Sequence, residues 1–177
     1  VQAKGEDEQE LLRLTATVPF DDRQCHHADV EWLRLSLIRS YLKEVGSGLY
    51  DQAATMPMVE LGRQMGLVDG SDENVKPRNV GLLFFHEAPE EFFSGAQIDV
   101  VAFPKGPGGG ELYEQTFRGP LPHQIRDALR YLRNNFIRER VTKLPDRPEA
   151  IRIFNYPYPA LEEAVVNAVY HRSYEQP

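Results

Sequence analysis

The segment Gln97-Ile-Asp-Val-Val-Ala-Phe103 alternates in polarity and runs into Pro104-Lys-Gly-Pro-Gly-Gly-Gly110, after which Glu111 to Arg118 reads as a returning strand. A period of two is the mark of a half-covered strand. Glycine and proline between two such runs turn the chain back on itself. A β-hairpin near 97–118 is the element around which the rest of the chain must be arranged.

Helical patterns flank it. After Asp29, the residues Leu33, Leu37, Ile38, Tyr41, Leu42 and Val45 recur at helical spacing, and Gly46 is the expected stop. A second short helix is expected from Met58 to Met65, ending near Gly66. Asn79-Val-Gly-Leu-Leu-Phe-Phe-His86 reads as a short buried strand, with a helix left open because the run does not alternate. Pro122 opens a long amphipathic helix with Ile125, Leu129, Leu132 and Phe136 on one face. Beyond the Pro-rich stretch Leu144-Pro-Asp-Arg-Pro148, Glu149 to Asn155 reads as a strand, and Tyr156-Pro-Tyr-Pro159 leads into a last helix. The expected class is α+β: an antiparallel or mixed sheet packed by amphipathic helices. Residues 1–17 read as a partly disordered lead, with a short helix over Glu8 to Leu14.

Composition excludes several classes. The chain has 177 residues, 41% of them hydrophobic and 27% charged, which is ordinary for a globular protein. No apolar run approaches the roughly 20 residues of a membrane helix. Cys25 is the single cysteine, so no internal disulfide can form, and a reducing cytoplasm is the expected setting. The formal net charge of −7 argues against strong DNA binding by this chain alone. Its densest basic stretch, Arg126, Arg130, Arg133, Arg138, Arg140 and Lys143, reads as the solvated face of one amphipathic helix.

Three motifs yield to plainer readings. Gly106-Pro-Gly-Gly-Gly110 is followed by Glu111-Leu-Tyr rather than Lys-Ser or Lys-Thr, so it is a hairpin loop and not a phosphate cradle. Cys25-His-His27 has no second Cys/His cluster to complete a four-ligand metal site. Phe84-Phe85 and Phe92-Phe93 carry no interleaved basic residues, which favours core over base stacking.

The last helix is different. Leu161, Ala164, Val165 and Ala168 form one apolar face, and Val166 and Val169 are apolar too, so the helix is expected to be mostly buried. Along one side, at i, i+4 and i+8, stand Glu163, Asn167 and His171. An amide oxygen can complete the shell of a Mg²⁺ that also holds phosphates. A carboxylate one turn away can orient or deprotonate a water. The plainer reading is that Glu163 and Asn167 hydrogen-bond to a neighbouring loop.

Tyr156-Pro-Tyr-Pro-Ala-Leu-Glu-Glu-Ala-Val-Val-Asn-Ala-Val-Tyr-His-Arg-Ser-Tyr174 resembles the N-box of a divergent GHKL-type ATPase domain. That version occurs in bacterial predicted transcriptional regulators, also described as RecG-related proteins. Asn79-Val-Gly-Leu-Leu-Phe-Phe, Phe92-Phe-Ser-Gly-Ala and Phe117-Arg-Gly-Pro-Leu are similar to the segment preceding the ATPase there, so the resemblance runs from about Val18 onward. In that family an Alba-type, Schlafen-like DNA-binding domain comes first, then this middle region, then the ATPase. The resemblance implies Glu163 as general base and Asn167 as Mg²⁺ ligand, with His171 also at the nucleotide and Arg172 without an assigned role.

The Asp-x-Gly-x-Gly segment and the later Gly-rich lid of such ATPases do not occur in these 177 residues. The start of the chain also lacks the glycine-rich strand-helix pattern of the Alba-type domain. The expected organisation is a lead segment (1–17), a middle α+β domain (18–145) and the start of a truncated ATPase domain (146–177). The expected function is the central module of an ATP-dependent, DNA-binding transcriptional regulator. Mg-ATP would be held only by the full-length parent, and DNA would be contacted through another domain. A homo-oligomer is the other partner expected. Two alternatives stand beside this: a structural or oligomerisation module, and direct DNA contact through the Arg126–Lys143 face.

Overall fold

The computed structural model describes residues 18–106, 108–143 and 150–174. The lead segment, with its expected helix over 8–14, and the Pro-rich stretch 144–148 lie outside them. The chain divides into two compact units, Val1–His86 and Glu87–Pro177. The division expected at 145/146 lies between the paired strands Glu139–Lys143 and Ala150–Phe154.

The first unit opens with single 3₁₀ turns at Phe20–Asp22 and Val30–Trp32, followed by helices α1 (Leu35–Glu44), α2 (Leu49–Gln52) and α3 (Met58–Gln64). A short antiparallel pair, β1 (Val68–Asp69) and β2 (Lys76–Pro77), leads to helix α4 (Asn79–Phe85). Both expected glycine stops hold. After α1, Gly46 has φ +66°, with its N–H donating to the Lys43 carbonyl and that of Ser47 to the Leu42 carbonyl. After α3, Gly66 (φ +69°) and Leu67 repeat the arrangement with Arg63 and Gly62. These paired bonds satisfy carbonyls that a helix end leaves open, and the left-handed turn favours glycine.

Ile38, Leu61 and Leu82, one from each longer helix, are fully buried at the centre of this unit. Burying each is worth roughly 1.5–3 kcal/mol. The run Asn79–Phe85 is a helix, not the strand expected. Asn79, Gly81, Leu82, Leu83 and Phe85 are all buried, so no polar face remains to give the run a helical period. Gly81 backs onto the Leu67 carbonyl, where a Cβ would stand 2.8 Å from the oxygen. Arg78 closes the unit by donating to Asp22 (3.0 Å) and Asp69 (3.2 Å). The Asp69 carboxyl lies below its ordinary pKa because it accepts from the Gly70 N–H and then from Arg78.

In the second unit a 3₁₀ turn (Pro89–Glu91) precedes the expected hairpin, β3 (Ile98–Ala102) against β4 (Tyr113–Phe117), with Val100 opposite Gln115. Helix α5 (Leu121–Asn135) follows, with Pro122 in its first turn. Next come an antiparallel pair, β5 (Glu139–Lys143) and β6 (Ala150–Phe154), and helix α6 (Tyr158–Tyr170). Among the described residues the sheets are three separate antiparallel pairs, and with the helices they make the α+β class. Phe93, Ala96, Leu121, Ala128 and Leu129 form the core. Phe85 and Phe93, one from each aromatic pair, are buried as expected.

The basic stretch is not one helix face. α5 ends at Asn135, which leaves Arg126, Arg130 and Arg133 on the helix and carries Arg140 and Lys143 onto β5. Asn155 holds this break. Its Nδ2 donates to the Phe136 carbonyl at 2.8 Å, and its Oδ1 accepts from the backbone N–H of Arg138 at 2.7 Å.

Candidate functional site

Helix α6 enters through Pro157, in extended conformation, with Pro159 in the first turn, where a missing N–H costs nothing. Tyr158, Leu161, Val165 and Val169 are its half-buried positions, spaced i, i+3, i+7 and i+11 as one docking face. The Arg133 guanidinium lies 5.7 Å from the Tyr158 ring centre, a cation–π contact between α5 and α6. Two clefts border this face. One of about 550 Å³ is walled by Val100, Phe103, Tyr113, Phe136, Tyr156 and Leu161. The other, about 320 Å³, is walled by Asp99, Leu121, Ala164, Val165, Ala168 and Arg172, among others.

The expectation of a mostly buried helix is corrected: α6 has no buried residue. Val166 is 44% exposed and Tyr170 80%. The apolar content was read as burial, but burial needs a cover, and no described residue covers that side.

Glu163, Asn167 and His171 do come together along one side of α6, all exposed, and none of them lines either cleft. His171 caps the helix with its N–H on the Asn167 carbonyl (2.9 Å), and its ring meets Tyr170 edge-on at 5.1 Å. Among the described residues, the side chains of Glu163 and Asn167 have no hydrogen bond or ion pair. Two free oxygen donors one turn apart fit a hard divalent cation that takes its remaining oxygens from phosphates and water. Among the described residues, on α6 as elsewhere, no three His, Cys, Asp or Glu side chains converge on a common point.

A polar network at the end of α6 escaped the sequence reading. Arg172 Nη1 donates to the Gln97 carbonyl (2.7 Å), and Arg118 Nε donates to Gln97 Oε1 (3.0 Å). Asp99 accepts from Thr116 Oγ1 (2.6 Å) and Gln97 Nε2 (2.9 Å). The Asp99 carboxyl is held below its ordinary pKa, first by the Thr116 hydroxyl, then by Gln97 and the charges of Arg172 and Arg118. Gly95 is buried beside Arg172, and a Cβ there would collide with the guanidinium. The only local signal was the His171-Arg172 pair in the motif, because the partners are 75 residues away.

No helix among the described residues is long and apolar enough to cross a membrane. No family model, curated protein or solved structure matches the chain.

Proposed function

We propose that this chain is the central, connecting module of an ATP-dependent, DNA-binding bacterial regulator, carrying part of a GHKL-type nucleotide site. The observation that carries the reading is the free pair Glu163 and Asn167, set one turn apart on the open side of a helix whose one other charged residue is Glu162. The resemblance of residues 156–174 to an N-box supplies the family.

In this reading the Asn167 amide oxygen would hold Mg²⁺, and the ion would supply neutralisation of phosphate charge. Glu163, a carboxylate facing water, orients an attacking water and takes its proton. His171 stands one turn further along the same side, toward the nucleotide. Residues that read adenine and close over the phosphates come from the parent outside this chain. DNA contact belongs to another domain, in keeping with the net charge of −7.

The test is ATP turnover by the full-length protein. Glu163→Gln should lower it about 100-fold or more, and the isolated 177-residue chain should show none. Turnover unchanged by Glu163→Gln would reject the assignment.

A second reading, a structural or oligomerisation module, is favoured by one observation. Val141, Ile151, Ile153, Phe154, Val166 and Tyr170 are exposed apolar residues on β5, β6 and α6. Exposed apolar side chains are what an interface covers.

A further inference from the structure

The β5–β6 pair is exposed at every residue of both strands. A lone two-stranded ribbon with neither face covered is marginal in water. Its backbone shows which groups remain to be paired. The Asn155 N–H donates to the Arg138 carbonyl, so Arg138 and Asn155 form a hydrogen-bonded pair. Antiparallel strands alternate such pairs with pairs whose backbone groups point away. With Glu139 opposite Phe154 and Val141 opposite Arg152, the outward groups on β5 are those of Glu139, Val141 and Lys143. Among the described residues, nothing pairs with that edge.

We infer that the β5 edge is a self-recognition surface, which takes the β5 edge of a second copy of this chain. In an antiparallel two-fold pairing centred on Val141, Val141 meets Val141, Glu139 meets Lys143, and Arg140 meets Thr142. All three outward residues of each strand then fall in hydrogen-bonded positions, giving about six backbone hydrogen bonds. The same register sets two Glu–Lys pairs directly opposite each other and places no like charges directly opposite, the arrangement that stabilises neighbouring strands. Moving the centre to Arg140 sets arginine against arginine. On the other edge the corresponding register, a two-fold centred on Arg152 of β6, makes the same clash. The β5 pairing is therefore isologous and closes at a dimer. A five-residue edge is small beside the roughly 800 Å² per partner of a standard interface, so the dimer is weak. The inference is independent of nucleotide binding, and its failure would leave the roles of Glu163 and Asn167 untouched.

Sedimentation equilibrium over a concentration series, on this chain and on the full-length protein, tests the pairing. For this chain the mass should rise from 20.2 kDa toward twice that value, and for the full-length protein from its own monomer mass toward twice it. Glu139→Lys and Lys143→Glu should each weaken association about tenfold, and the double reversal should return it to within about threefold. Arg152 lies between positions 139 and 143, so the double reversal keeps a carboxylate beside it and preserves the ribbon's own ion pair, now 2.9 Å to Glu139. Val141→Pro, which removes an outward N–H, should give a monomer with an unchanged circular dichroism spectrum. A monomer at every concentration, or in the full-length protein alone because other polypeptide covers the edge, would overturn the proposal. So would a dimer that ignores the single reversals or is not rescued by the double.

Discussion

The Arg172 guanidinium donates to the backbone carbonyl of Gln97 at 2.7 Å and fastens the end of α6 to the start of the β3–β4 hairpin. The contact exists because Gly95 has no side chain in the space that the guanidinium fills. Arg172→Ala removes the donor, and Gly95→Ala displaces it without touching its chemistry. Each should cost about 1 kcal/mol in urea unfolding, and the double variant little more than either alone. Additive losses would show that the two residues act separately.

Gln124 is 1% exposed, and its Nε2 donates to the carbonyls of Ala96 (2.8 Å) and Gly119 (2.6 Å). Leucine fills similar space but leaves both carbonyls without that donor. Gln124→Leu should destabilise the second unit by about 2–4 kcal/mol. The thermal midpoint should fall by on the order of 10 °C or more. A midpoint within a degree or two of the original would mean that the site relaxes or admits water.

Several features were legible because their causes are local. The glycine stops at Gly46 and Gly66 need only a left-handed residue and its neighbours. The hairpin needs alternation and a loop, and the line of Glu163, Asn167 and His171 follows from helix pitch alone. What could not be read depends on distant partners. The end of α5 is held by Asn155, 19 residues beyond Phe136. α4 is buried nearly all round, so its pattern is that of any short apolar run. Arg172 shows no partner until the fold brings Gln97 to it.

Asp99 gives the second unit a pH dependence of definite sign. Its folded pKa lies below the ordinary 3.8, so the unfolded chain takes up the proton first as pH falls. The stabilisation is present above about pH 4 and is lost as pH drops through the lowered value. Urea midpoints measured from pH 6 to pH 2.5 should fall less steeply for Asp99→Asn than for the original chain. Parallel profiles would show that the Thr116 and Gln97 bonds do not favour the carboxylate.

The central claim is that the free amide of Asn167 is a nucleotide-site ligand, and calorimetric titration of Mg-ATP into the full-length protein tests it most directly. The account predicts saturable binding that Asn167→Ala weakens at least about tenfold, the loss of roughly one charge-assisted contact, with the circular dichroism spectrum unchanged. No binding by the original protein, or equal binding by Asn167→Ala, would contradict it.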